Sequence, residues 1–422
     1  MQAGLFRSKS SLIIWFSLVL FFAFQFILRL VPGILREELM IRYSLSTVEF
    51  GRLAAYYYLG YAGMQIPIGY LLDKYNVKTV SFLSIIVTII GALIFAYAED
   101  WNYILASRLI IGMGSAAAFL SVAKASAYYF HEKYMNTLIG FAFTFGLLGA
   151  VAGGQPTKEL LDTVGFQNGI TIIASIFFLI GLIVVVVKPS KSREFLKHSP
   201  IKFSEIFSTS FNPYVLYIGI CGGLMVGSLE GFADIWSIVF FRQIYHFSVS
   251  QSLNAAFSVY IGMCVGGPLL AYAADKTRSS TLIIFLTGIF VTGIFMILFI
   301  LKSPNFYLVA FLMFVLGILC SYQVLVFSTI TELFSKDKSA LAISVVNCIN
   351  MSFGYLFHII ISHLIQQSWN GNTDLHNVPI YDLEALKNGL RIIPILCLVG
   401  ASGFIVLPFK LQRNATIATK VN

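Results

Sequence analysis

Charge is what this 422-residue sequence has least of. Asp, Glu, Lys and Arg make up 11% of it, where soluble globular domains carry about 25%. Hydrophobic residues reach 58%, against roughly 45–50% in such domains. One globular core cannot bury that excess, so lipid is the implied solvent. Cysteine is scarce too. Cys221, Cys264, Cys320, Cys348 and Cys397 fall in apolar stretches without metal-ligand or redox spacing, so neither a disulfide framework nor a metal site is expected. P-loop, nucleophile elbow, zinc pattern and dinucleotide fingerprint are all missing. Gly112-Met-Gly114 is too short and too apolar in context to cradle phosphate. Neither enzymatic catalysis, nor ATP-driven work, nor a cofactor is therefore expected. Strand-length alternation is lacking, which argues against a β-barrel.

Long apolar runs are what the sequence has instead. Twelve lie near 12–35, 48–71, 79–98, 103–129, 136–157, 169–187, 213–238, 251–273, 281–301, 306–331, 339–364 and 386–408, most of them long enough for the ~20 residues a bilayer demands. The first is too long for a signal-peptide core and lacks an A-x-A-like site, so it reads as a retained helix. With both termini inside, 17 of the 28 Lys and Arg fall in inside segments. This positive-inside bias sets the expected orientation: a multi-pass inner-membrane protein with both termini cytoplasmic. The net charge of +9 then reflects topology and membrane lipid, with no nucleic-acid partner. The polar segment 188–211, opening Lys-Pro-Ser-Lys-Ser-Arg, divides the chain into a bundle at 1–187, a cytoplasmic linker, and a second bundle at 212–422. The stretch 366–384 reads as an ordinary extracytoplasmic loop.

The two parts repeat. Gly69-Tyr-Leu-Leu-Asp73-Lys74 recurs as Ala271-Tyr-Ala-Ala-Asp275-Lys276 at an offset of 202 residues. Phe130-His-Glu-Lys and Phe334-Ser-Lys-Asp-Lys form a second landmark at an offset of 204. Acidic-basic loops recurring between apolar spans point to a carrier built from repeats.

These residues resemble the major facilitator superfamily. Gly69-x-x-x-Asp73-Lys74 resembles its signature loop, with a degenerate copy at Asp275-Lys276. Arg108-Leu-Ile-Ile-Gly112-Met-Gly114 resembles its Arg-x-x-x-Gly-x-Gly motif. Asn76-Val77 departs from the glycine usual in the loop. Gly146-Leu-Leu-Gly149 and Gly153-Gly154-Gln155-Pro156 fall short of the antiporter motif of the fifth span, which weighs against a drug exporter. The resemblance implies an all-α membrane protein: twelve transmembrane helices in two pseudo-symmetric six-helix bundles, exposing one site alternately. Gly69 is expected to allow close helix approach, Asp73 and Asp275 to belong to a gate, and Gly112 and Gly114 to give a small packing face. Arg108 is read as structural, although the family motif has been tied to proton transfer.

Ionisable residues within apolar spans face a cavity or a partner. Arg29 lies ~26 Å along the helix from residue 12; it is either snorkelling to outer headgroups or clamping an anion. Its setting resembles the organophosphate–phosphate antiporter branch, where a first-span arginine contacts substrate phosphate. That branch has a second arginine six residues before a tryptophan in the seventh span. Here, six before Trp236, stands Glu230. Arginine against glutamate suits a zwitterion, with carboxylate on Arg29 and ammonium on Glu230, or the two pair as an outer gate. Asp234, four residues on, is a proton-coupling candidate with Glu230, or meets outer water or Arg242. Lys124 reads as an inner-cavity or gate cation, or as a snorkelling lysine. Gln323, Asn347 and Asn350 are candidate substrate hydrogen-bonders, with interhelical bonding as the alternative. Tyr56 to Tyr58 cover most of a helix circumference, so not all can face a cavity.

The expected activity is proton-coupled symport of a small molecule, an amino acid or short peptide, by a monomer. The sequence loosely resembles bacterial intraphagosomal amino-acid transporters. An organic anion or siderophore carrier, with Arg29 and Lys124 as ligands, and a non-transporting sensor on the same fold stay open.

Overall fold

The computed structural model describes residues 9–131, 134–188, 203–334 and 336–421. Most of the linker 188–211 and the landmark residues Glu132, Lys133 and Ser335 lie outside these. The described chain is helical, with one isolated antiparallel bridge, Thr373 to Pro379. It divides into two compact units. The first comprises Met1–Phe207 with Gly371–Ile380, the second Ser208–Asn370 with Tyr381–Asn422.

The first unit holds α1 (Lys9–Ile34), α2 (Arg36–Tyr43), α3 (Thr47–Lys74), α4 (Val77–Tyr97), α5 (Trp101–Ser115), α6 (Ala117–Tyr129), α7 (Met135–Ala152), α8 (Gln155–Val164) and α9 (Phe166–Val186). Helix α10 (Phe203–Ser210) follows at the boundary. Three of these starts are capped by side chains. Ser46 and Glu49 close a reciprocal capping box on α3, which satisfies two orphan N–H groups. Asn76 caps α4 by accepting from the Lys78 N–H, so the residue that departs from the family glycine serves as a helix cap. Asp100 caps α5. The Lys78 ammonium donates to the carbonyls of Val185 and Val187 at 2.9 and 2.8 Å, neutralising the negative end of α9. Gly153-Gly154-Gln155-Pro156 bends the chain by 45° between α7 and α8.

The second unit holds α11 (Pro213–Met225), α12 (Ser237–Gln243), α13 (Val249–Thr277), α14 (Ser280–Ile300), α15 (Phe306–Cys320), α16 (Tyr322–Leu333), α17 (Lys336–Ser368), α18 (Leu383–Leu390) and α19 (Ile392–Val421). Between α11 and α12 the backbone tightens into a 3-10 turn at Val226–Ser228 and then widens into a π-helix at Leu229–Trp236. Such wide turns concentrate at functional sites.

Ten described helices are long and apolar enough to cross a membrane, or eleven if the bent α7–α8 pair is one span. Of the twelve expected spans, α3 is the one outside this set. It is 28 residues long, about 42 Å at the helical rise, but it carries Glu49, Arg52, Asp73 and Lys74.

Both units close on reciprocal glycine pairs. A Cβ on Gly112 would lie 2.0 Å from the Tyr57 carbonyl oxygen, and one on Gly60 2.1 Å from that of Leu109. In the second unit a Cβ on Gly317 would lie 1.9 Å from the Val259 carbonyl oxygen, and one on Gly262 2.0 Å from that of Phe314. Helix pairs α3–α5 and α13–α15 thus approach backbone to backbone, as small-residue faces permit. A Cβ on Gly69 would meet nothing within 4 Å, so close approach is not what that glycine serves.

The stretch expected to be an ordinary loop is a compact hairpin. Asp374 accepts from the N–H groups of His376 and Val378, and Ile380 N–H returns to the Asn372 carbonyl. The Val378 N–H, with that of His376, holds the Asp374 carboxyl below its usual range. Gly371–Ile380 packs within the first unit, although the chain on either side belongs to the second.

Candidate functional site

Among the described residues, buried charge is segregated by sign: the buried charged residues of the first unit are Arg29, Arg36 and Arg108, and those of the second are Glu230 and Asp234. A buried charge is tolerated only where neighbouring groups stabilise it, so each one marks a place the fold was built around.

Arg29 is on α1, 8% exposed, with its guanidinium 5.3 Å from the Phe26 ring centroid and 5.0 Å from that of Tyr58. The headgroup-snorkelling alternative fails on this burial, because the aromatic rings hold the cation inside the unit. All three hydrogen bonds of Arg108 go to backbone: Nη1 to the Leu28 carbonyl at 2.7 Å, Nη2 to the Arg29 carbonyl at 3.1 Å, and Nε to the Leu53 carbonyl at 3.3 Å. Beside them Tyr57 donates to Gln25 Oε1 at 2.5 Å. Tyr57 and Tyr58 are buried and Tyr56 is half-buried. Arg36 donates to the Pro379 carbonyl of the hairpin at 3.4 Å and sits over the Phe50 ring.

In the second unit Glu230 and Asp234 are each 2% exposed, both on the π-helix. Asp234 accepts a hydrogen bond from the Tyr260 hydroxyl on α13. It therefore does not meet outer water, which corrects that alternative. Tyr322 donates to the Gly222 carbonyl at 3.1 Å, and the Asn350 side-chain oxygen is 3.3 Å from where a Gly222 Cβ would stand. Asn350 is 1% exposed, and that oxygen has no partner among the described residues. Gln323, next to Tyr322, and Asn347 are half-buried. Tyr322 and Asn350 thus meet at Gly222.

The two acidic-basic repeats differ. Both fall in the last turns of α3 and α13, not in loops. Asp73 is paired with Lys124 of α6, whose ammonium also lies 5.3 Å from the Tyr128 ring centroid. Asp275 and Lys276 are exposed, as is Lys74. Lys124, expected to be a substrate or gate cation, is engaged by Asp73.

Sequence reasoning named Tyr56 to Tyr58 without singling out Tyr58, and missed Tyr260, Arg36 and the glycines Gly60 and Gly262. The repeat offset of 202 residues carries Tyr58 onto Tyr260 and Gly60 onto Gly262, so a residue-by-residue overlay of the halves finds three of the four missed residues. Arg36 has no such signal, because its partner is 343 positions away.

Known proteins share this plan. "Uncharacterized transporter YybO" of Bacillus subtilis (strain 168) is 24% identical over 267 residues, 57% of this chain and 60% of that protein. "Probable sulfoacetate transporter SauU" of Cupriavidus necator is 21% identical over 143 residues, 34% of this chain and 32% of that protein. The chain therefore matches less than two thirds of either curated relative's length. A solved bacterial homolog of the human lysosomal transporter Spinster, inward-facing and occupied, superposes with a TM-score of 0.73 at 15% identity, covering 93% of this chain and 96% of that one. The same homolog, unoccupied, gives 0.67 at 16% identity, covering 94% and 96%. At such identity the likeness is one of fold. The profile of the Major Facilitator Superfamily matches residues 14–358, most of the chain and parts of both units, and this multi-pass membrane protein belongs to that superfamily.

Proposed function

We propose that this protein is a secondary transporter that moves a small zwitterion, an amino acid or short peptide, by alternating access with proton symport. It crosses the inner membrane twelve times, α3 included, with both termini cytoplasmic. The observation that carries the reading is the segregation of buried charge. Arg29, with Arg108 behind it, gives the first unit a positive interior suited to a carboxylate. Glu230 and Asp234 give the second unit a negative one suited to an ammonium. Gln323, Asn347 and Asn350 add neutral hydrogen-bonding groups on the second unit. Asp234, held by Tyr260, is the proton carrier. The Asp73–Lys124 pair with Lys74 and Asp275-Lys276 forms the gate.

A thermal-shift screen of purified protein tests this, because a ligand stabilises the state it binds. Amino acids and dipeptides are expected to raise the melting temperature, and uptake into proteoliposomes to follow an imposed pH gradient. Glu230→Gln is expected to weaken zwitterion binding by about two orders of magnitude, the cost of leaving a charge without its partner. Affinity preserved in Glu230→Gln overturns the zwitterion reading.

A second reading, transport of an organic anion, is favoured by the relative named for sulfoacetate and by the two buried arginines Arg29 and Arg108 of the first unit. It predicts stabilisation by sulfoacetate that survives Glu230→Gln. Binding without flux under any gradient supports a sensor.

A further inference from the structure

The first helix carries a built-in deficit. In an α-helix the carbonyl of residue i accepts from the N–H of residue i+4, and proline has no N–H. Pro32 lies inside α1, so the Leu28 carbonyl loses its intrahelical donor. Leu28 is 1% exposed, which leaves little access for water. A buried carbonyl without a partner costs as much as a lost hydrogen bond. The Arg108 guanidinium fills that vacancy at 2.7 Å and takes the next carbonyl, that of Arg29, at 3.1 Å. Its third bond, to Leu53 at 3.3 Å, ties in α3 one turn before Tyr57 and Tyr58. Only a planar fork with several donors reaches all three acceptors at once.

The second unit serves as an internal control. The offset of 201 that carries Arg29 onto Glu230 carries Pro32 onto Ala233, and the offset of 205 that carries Gly112 onto Gly317 carries Arg108 onto Met313. Met313 is fully buried, like Arg108. Where the helix has no proline, the opposing helix has no arginine.

We propose that Arg108 is a positioning residue: by donating to the carbonyl that Pro32 leaves short and to its neighbour, it fixes the turn of α1 that aims Arg29. Its role is to set the place of the anion-binding guanidinium, and it moves no proton itself. The consequence for binding rests on the reading of Arg29 as a ligand; the consequence for α1 does not.

The test is a cycle of Arg108→Met, which copies the second unit, Pro32→Ala, and the double variant, read by hydrogen–deuterium exchange of the full chain in detergent. Arg108→Met is expected to speed exchange of the Gly33–Leu35 amides about tenfold, the scale of a lost hydrogen bond to a charged group. In the Pro32→Ala background the same substitution is expected to change it about twofold or less, because the N–H restored at position 32 then serves the Leu28 carbonyl. Arg108→Lys, which keeps the charge without the fork, is expected to lose most of the protection. Equal losses in both backgrounds, or full protection with lysine, overturn the proposal. Glycine binding by calorimetry adds a second arm: Arg108→Met weakens it about tenfold and the double variant recovers most of that. Weakening equal in the single and double variants also overturns the proposal. If native protein binds no glycine, glycine is not the zwitterion carried, and the exchange cycle alone decides the role of Arg108.

Discussion

Helices α3 and α13 are built to one plan and used for opposite charges. Each opens on a capping box, Ser46 with Glu49 and Ser248 with Gln251. Each places a glycine, Gly60 or Gly262, against a carbonyl of the opposing helix. Each has an internal proline, Pro67 or Pro268, and carries Asp-Lys in its last turn. The same register also brings one tyrosine in each to the neighbouring first helix of its unit. The Tyr58 ring lies under the Arg29 guanidinium, while the Tyr260 hydroxyl donates to the Asp234 carboxylate. Tyrosine suits both tasks, since its face attracts cations and its O–H donates to anions. The comparison teaches that packing was kept in duplicate while the polarity of the interior was inverted.

Three sets of paired substitutions test that statement, and the largest effect belongs to the shared packing. Gly112→Val and Gly317→Val each force a backbone contact apart and should each lower stability by about 3 kcal/mol, at the upper end of overpacking costs. Thermal unfolding in detergent should show the same loss in both; tolerance in one unit breaks the duplicate-packing claim. The inverted chemistry comes next. Tyr260→Phe removes a hydroxyl from a buried carboxylate and should cost roughly 2 kcal/mol. It should also shift the pH dependence of uptake, and an unchanged profile argues against Asp234 as the proton carrier. Tyr58→Leu removes a ring from a buried cation and should cost about 1 kcal/mol, with weaker binding of carboxylate ligands as its sign. The smallest effect is at the caps. Ser46→Ala and Ser248→Ala should each cost about 0.5 kcal/mol, and a marked inequality between them would show that the two helix starts are not equivalent.

Much of the architecture was legible because helices in lipid announce themselves by composition. The apolar runs predict the long helices, and the repeated Asp-Lys marks the ends of α3 and α13. Helix α3 shows the limit: its charges and tyrosines lower its apolarity, yet it packs like its counterpart. The site was legible in part. Arg29, Glu230 and Asp234 stand out because charge is rare in such spans, and the structure buries all three. Their partners do not stand out, since Tyr58 and Tyr260 are two of 21 tyrosines and gain meaning only from what they touch. Lys124 could be read as a snorkelling lysine until Asp73 was found beside it. The π-helix at Leu229–Trp236 has no sequence signature, because one widened turn alters hydrogen-bond register without altering composition.

The sequence by itself determined the solvent, the repeat and the sign of each buried charge, because composition and spacing are carried by the chain alone. Only the tertiary structure decided that the Arg108 fork serves the carbonyl next to Arg29, that Tyr260 holds Asp234, and that the Gly371–Ile380 hairpin packs in the first unit. Those are contacts between residues 26 to 343 positions apart. The physical reason is that a hydrogen bond needs its donor and acceptor within about 3 Å, and only packed helices bring such distant groups that close.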